Sequence, residues 1–279
     1  MMKHLCLLLL LLTAMLPAET VILDSSADPR MFDRPAEHPD LDWRTPPTLK
    51  EDGIWRTTGG FLFFSKEFPV DPKKSYRLSG EFRILNATLP ITQFLFGFNP
   101  VDENGRTVFV FQVNAPKEFP LAQLQVPALE GDTEIILNDV GWTIPVGHLN
   151  LGFDAQEDFS DLPNRNTSPR LVQNGIRRLS SGNVAVKLTR PLKGSFPANT
   201  LVRMLADGPT FQYVGAGTQP GSEWVKWTGV IKGIHKPGNI GPQHWYYGTK
   251  GARIMLRCFQ QGMENSVLEF RNVTVTAEP

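Results

Sequence analysis

The sequence predicts an all-β fold: a β-sandwich of two stacked antiparallel layers, interrupted by a small β-barrel-like module. Three observations carry this. Apolar and polar residues alternate over short runs, as in half-buried strands, most clearly where Tyr76, Leu78, Phe82 and Ile84 interleave with Arg77, Ser79, Glu81 and Arg83. The 23 Pro and 24 Gly, together with 18 Phe, suit short strands joined by turns, and no long segment keeps the 3.6-residue period of a helix. The texture also changes near Val126, where a separate series of short strands begins. Residues 19–125 and 209–279 are therefore read as one sandwich, and 126–208 as an insertion into it.

In chain order, 19–24 (ETVILD) gives a first strand. Residues 28–53, rich in Pro and charge, form an extended segment that Trp43 and Trp55 pin to the body. A single strand follows over 61–68 (FLFFSKEF), then a turn with two prolines, then a strand over 76–84. The run 94–98 is apolar on both faces and reads as a central strand. Asp102 to Arg106 (DENGR) is a hairpin turn with Asn104-Gly105 at its tip, and 107–113 is the returning strand. The module supplies strands at 134–137, 148–153, 175–179, 183–188 and 200–205. The sandwich resumes at 210–215, 224–233, 252–259 and 266–276. In the last of these a bulge near Asn272 switches the inward set from Leu268 and Phe270 to Val273 and Val275.

Residues 1–18 have the form of a Sec-type leader. Lys3 and His4 precede an apolar run over 5–12, too short to span a membrane, and Ala14 and Ala18 bracket a small-residue cleavage site. Cleavage after Ala18 is expected, giving a secreted or periplasmic protein with no membrane insertion. Cys6 precedes most of the apolar run, which argues against a lipid anchor. Loss of Lys3 leaves 27 basic side chains against 28 acidic ones. That balance argues against nucleic acid and against an anionic membrane surface as partner. Cys258 is then the one remaining cysteine, so no internal disulfide forms. Its alternation with Ile254 and Leu256 marks it as a small buried hydrophobe.

Two resemblances follow from these runs. The module, through Ile135, Gly147, Ile176, Val184, Leu188, Pro191, Leu192, Pro197 and Val202, resembles a small β-module met in secreted and phage-tail proteins. The outer strands SYRLSGEFRI, FLFGFNPVDENGR, SEWVKWTGVIKG, ARIMLRCF and NSVLEFRNVTV resemble a jelly-roll carbohydrate-binding module of the galactose-binding-like superfamily. In that comparison Trp227 or Trp224 matches the tryptophan of a late strand, and Phe270, Asn272 and Val273 match the closing strand. The resemblance implies a jelly-roll sandwich, a carbohydrate partner and, in many relatives, a structural calcium. Arg271 stands where those relatives carry an Asp that helps bind the metal, which leaves a structural calcium open and implies no other cofactor.

The chemistry centres on residues 213–247, which hold three of the six Trp and three of the four Tyr. From Glu223 the pattern is strand-like: Val225, Trp227 and Ile231 on one face, Trp224, Lys226, Thr228 and Lys232 on the other. A Gly/Pro-rich loop then delivers a second aromatic group. Sugar rings expose C–H patches that stack on π-faces, while amides and amines bond their hydroxyls. Trp224, Lys226, Gln243, His244, Trp245, Tyr246 and Tyr247 are the candidate contacts, with core packing the competing role for each ring. The acidic loop residues Asp154, Glu157, Asp158 and Asp161 are weaker candidates for calcium, since their spacing is not that of an EF-hand. No catalytic signature is present: the chain has no GxSxG, Walker loop, GxGxxG or HExxH. The expectation is a non-catalytic carbohydrate-binding protein. A polysaccharide lyase or glycoside hydrolase on the same scaffold is the rival, and a structural or surface-assembly protein, with a protein partner, the third reading.

Overall fold

The structure, a computed structural model, describes residues 19–33, 45–86, 94–144, 148–209, 211–216, 220–237, 240–241, 243–258 and 265–279. Residues 1–18, read above as a leader, and Trp43 lie outside them. The chain folds as β1 (Thr20–Asp24), β2 (Thr48–Leu49), β3 (Trp55–Thr58), β4 (Phe61–Phe64), β5 (Phe68–Pro69), β6 (Ser75–Leu85) and β7 (Leu95–Val101). Then come β8 (Ala122–Gln123), β9 (Glu134–Asn138), β10 (Leu149–Phe153), β11 (Leu171–Arg178), β12 (Asn183–Leu188) and β13 (Leu201–Ala206). It ends with β14 (Gln212–Ala216), β15 (Val225–Lys232), β16 (Gly251–Cys258) and β17 (Val267–Glu278). The one described helical element is a 3₁₀ turn, Val110–Gln112, so the fold is all-β, and no described helix is long and apolar enough to cross a membrane.

Two antiparallel sheets face each other. One runs β15-β6-β17-β3-β2 with β1 also on β17; the other runs β14-β7-β16-β4 with β5 also on β16. The alternation in β6 puts Tyr76, Leu78, Phe82 and Ile84 into the space between them. There Phe82 meets Phe96 of the opposite sheet at a ring separation of 4.6 Å, and Phe63 meets Phe270 at 5.7 Å. Each such ring contributes about 1.5–3 kcal/mol through burial, which is how the sandwich holds without a disulfide. Met31 and Phe32 also enter this core, so they, with Trp55, anchor the N-terminal segment. Cys258 is buried in the same cluster. In β17 the register shifts between Arg271 and Thr274, and Asn272 takes φ 51°. This bulge lets Leu268, Phe270, Val273 and Val275 all point inward.

Two expected strands differ. The run 61–68 is broken into β4 and β5, because Lys66 N–H leaves the ladder and donates to Met31 O at 2.8 Å. The returning strand at 107–113 does not form. Val101 and Thr107 make one bridge, and Val108 N–H donates to Pro100 O at 2.9 Å. Pro100 has no N–H to return, so the ladder stops there. The chain instead turns through the 3₁₀ segment and sends Val108, Val110 and Val113 into a satellite cluster with Tyr246.

Strands β8 to β13 pair only with one another among the described residues, as β10-β13-β8 and β11-β12-β9. A Leu124–Leu137 bridge joins the two sheets. They enclose a separate core that includes Leu137, Leu151, Phe153, Val184, Val202 and Met204, with Phe153 stacked on Phe196 at 3.9 Å. Where this unit meets the sandwich, Ala115, Leu162 and Leu205 pack with Phe159 and Tyr247.

Candidate functional site

The candidate residues do not form one surface. Trp224 precedes β15 and Trp245 bridges Ile234 beyond its other end, which separates them by roughly 30 Å of strand. Trp224 is half-buried on the outer face of its sheet, with the Arg83 and Arg271 guanidiniums 4.6 and 4.3 Å from its ring centre. Lys226 is exposed on the same face. Trp227 turns inward, against Phe94 and Phe82. Gln243 is exposed, and its carbonyl accepts the Lys232 N–H at 2.9 Å. His244 is half-buried, and its carbonyl accepts the Gln212 amide.

Trp245, Tyr246 and Tyr247 diverge because Trp245 lies in the bridge with Ile234 whereas the chain enters a turn at Tyr246, whose carbonyl accepts the Thr249 N–H at 3.1 Å. Trp245 is 0 % exposed and packs edge-on against Phe98 and Tyr76. Tyr246 is 3 % exposed; its hydroxyl donates to Pro209 O at 2.8 Å, and burial pushes its pKa up. Neither ring presents a face to solvent, so stacking on a surface ligand is corrected to core packing for these two. Tyr246 does edge a small cleft of about 260 Å³ shared with Phe211, Gln212 and Tyr213. Tyr247 alone of the three is half-buried at the surface.

Tyr247 walls a cleft of about 400 Å³ where the sandwich meets the inserted unit. Its other walls are the Asp102–Arg106 hairpin, Leu162, Pro163 and Arg165 from the insertion, Ile234, and the turn Gly248, Thr249, Lys250. The turn is closed by Thr249, whose N–H and hydroxyl both donate to Tyr246 O, at 3.1 and 2.6 Å. Gly248 takes φ +82°, and a Cβ there would lie 2.5 Å from Pro163 Cδ. Glycine is thus required twice, for the left-handed backbone and for the approach to the insertion.

Asp102 organises the polar side. Its Oδ1 accepts the N–H groups of Asn104 and Arg106 at 2.9 and 3.0 Å. Its Oδ2 accepts from Arg165 Nη2 at 2.7 Å and Arg106 Nε at 3.1 Å. Burial by itself would raise the Asp102 pKa; the two N–H groups and two guanidiniums outweigh it and hold the carboxyl below its ordinary range. Arg165 also donates through Nη1 to Thr107 O at 2.8 Å and Gln112 Oε1 at 3.0 Å, tying the insertion to the segment after the hairpin. The cleft therefore combines one aromatic wall with fixed donors and acceptors. Sequence reasoning missed Asp102 and Arg165. The hairpin was visible, but Arg165 stands 63 residues from its partner with no local signature.

The acidic loop is bonded internally. Asp161 accepts from Arg203 and Asn164, at 3.1 and 3.0 Å; Asp154 accepts from Asn166 at 2.8 Å; Asp158 accepts the Ser160 N–H at 3.0 Å. Glu157 lies between them, exposed. Among the described residues, no group of three or more His, Cys, Asp or Glu is arranged to hold a metal ion. No protein-family model matches the chain, and no curated protein is significantly similar to it.

Proposed function

We propose that this protein binds carbohydrate in the cleft beside Tyr247, without turning it over. The observation that carries the reading is the combination at that cleft. A half-buried phenol ring faces a recess of about 400 Å³ into which Arg106, Arg165 and Lys250 bring positive charge and Asp102 brings a carboxylate. Ligand sites favour such seams between structural units, with a few polar groups fixing orientation. A C–H face of a pyranose fits the ring and its hydroxyls fit the polar wall. The Asp102 carboxyl, held below its ordinary range, does not fit the general-acid half of a hydrolytic pair, and we read the cleft as a binding site. We read the sandwich as a galactose-binding-like jelly roll, supported by two facing antiparallel sheets and the strand runs quoted above. We read the protein as exported through its leader and active outside the cytoplasm, with no nucleic-acid or membrane partner.

The test is a glycan array followed by calorimetric titration of the tightest binder, using the parent, Tyr247→Ala and Trp224→Ala. Tyr247→Ala is expected to lose about tenfold or more in affinity, ~1.4 kcal/mol, and Trp224→Ala to bind as the parent does. A silent array, or a Tyr247→Ala chain that binds unchanged, rejects the site. Loss on Trp224→Ala alone moves the contact to the outer sheet face.

A further inference from the structure

A second recess, of about 430 Å³, lies on the inserted unit against the 3₁₀ segment. It shares no lining residue with the Tyr247 cleft. Three features of it point to one ligand chemistry. The first is charge. Arg170, Arg190 and Lys193 line it with Asp207. Arg170 is committed to Asp207, whereas Arg190 and Lys193 have no acidic partner among the described residues, although the chain as a whole is charge-balanced. The surface arginines Arg177 and Arg178, at the far end of β11, are paired with Glu134 and Asp139. The second is Asn150, 6 % exposed, which lines the recess while its Oδ1 has no hydrogen-bond partner. A buried polar atom left unpaired is costly, and this one calls for a hydroxyl donor or a water. The third is Phe111, half-buried in the wall and held by a parallel stack on Phe109, ring centres 5.3 Å apart.

Each simple occupant satisfies only part of this. An inorganic anion neutralises the cations but makes no use of the amide or the ring. A neutral sugar uses the amide and the ring but leaves the cations unmatched. A sugar acid satisfies all three: its carboxylate meets the planar guanidinium of Arg190 and the Lys193 ammonium, its hydroxyls meet Asn150, and its C–H face meets Phe111. We propose that this recess is a second binding site, specific for a uronic-acid residue of an acidic polysaccharide. It stands independently of the Tyr247 cleft.

The test is calorimetric titration of the full chain with oligogalacturonate, with a neutral galacto-oligosaccharide and with inorganic sulfate. The variants are Arg190→Gln/Lys193→Gln, Phe111→Ala and Tyr247→Ala. Arg190 and Lys193 are exposed, so their double variant keeps the fold, which an unchanged melting curve verifies. Oligogalacturonate is expected to bind the parent with an affinity that falls as salt is added. The double variant is expected to lose about tenfold or more, Phe111→Ala to weaken binding several-fold, and Tyr247→Ala to leave it unchanged. The proposal is overturned if the parent does not bind oligogalacturonate. It is equally overturned if the neutral sugar or sulfate binds as tightly, or if the double variant binds as the parent does. Loss on Tyr247→Ala with retention by the double variant assigns the acidic sugar to the other cleft and also overturns it.

Discussion

Glu269 is a buried carboxylate on the outer side of β17, and its neighbours explain why it is tolerated. Arg56 Nε and Arg83 Nε each donate to it at 2.5 Å. Arg83 in turn lies over Trp224, as does Arg271, which bonds Glu81 at 2.8 Å. The ring and charges thus form one connected lattice, which is why Trp224 is half-buried rather than a free platform. Burial by itself would raise the Glu269 pKa; the two guanidiniums outweigh it and hold it below the ordinary value of 4.5. A depressed folded pKa contributes stability above the ordinary value and loses it as pH falls through the folded value. Glu269→Gln should therefore cost about 1–3 kcal/mol at neutral pH, allowing for partly exposed arginines. The difference from the parent should shrink as the solution is acidified below 4.5. Urea unfolding of both chains at the two pH values measures it. A gap that stays constant on acidification would show that the ion pairs contribute nothing.

At the scale of the element, the turn before β16 decides whether Tyr247 faces the cleft. Gly248 and Gly131 both have positive φ, +82° and +95°, but only Gly248 has a neighbour where a Cβ would go. Gly131→Ala meets only the backbone cost, about 1–2 kcal/mol. Gly248→Ala adds a clash with Pro163 and should cost about 2–4 kcal/mol in all, with weakened glycan binding as well. Equal losses in thermal unfolding would mean that the close approach is unimportant. This turn also shows where sequence reading stops. A period of two is unmistakable in an eleven-residue strand such as β6 and locates β12 to the residue, and the bulge in β17 follows from the change of phase at Asn272. In β2, β5 and β8, two residues each, there is no period to see. The expected strand at 107–113 fails through Pro100, which lies on its partner rather than in it. Adjacent aromatics at 245–247 mark an anchored turn, but which ring stays at the surface depends on Ile234, Pro209 and Pro163, all brought in by tertiary packing.

At the scale of the molecule, two separate cores meet at a narrow seam. The sandwich core and the inserted core share no residue, and between them lie the small Ala115, Leu162, Leu205 cluster and the bonds of Arg165. Unfolding the insertion would leave the sandwich closed by a long loop, and loop-closure entropy grows only slowly with length. The sandwich should therefore survive it. Leu137 is 0 % exposed in the inserted core, and Leu137→Ala should cost about 2–5 kcal/mol there. Calorimetry of this variant should resolve two transitions, the earlier one reported by Trp142, which packs in the inserted core. That unfolding withdraws Arg165 from Asp102 and dismantles the Tyr247 cleft, so a glycan bound there stabilises the insertion in particular. At a hundred times its dissociation constant the gain is about 2.7 kcal/mol, and it should raise the earlier transition while the later one stays in place. A single transition, with calorimetric and van't Hoff enthalpies equal, would mean that the seam couples the cores as strongly as either core holds itself.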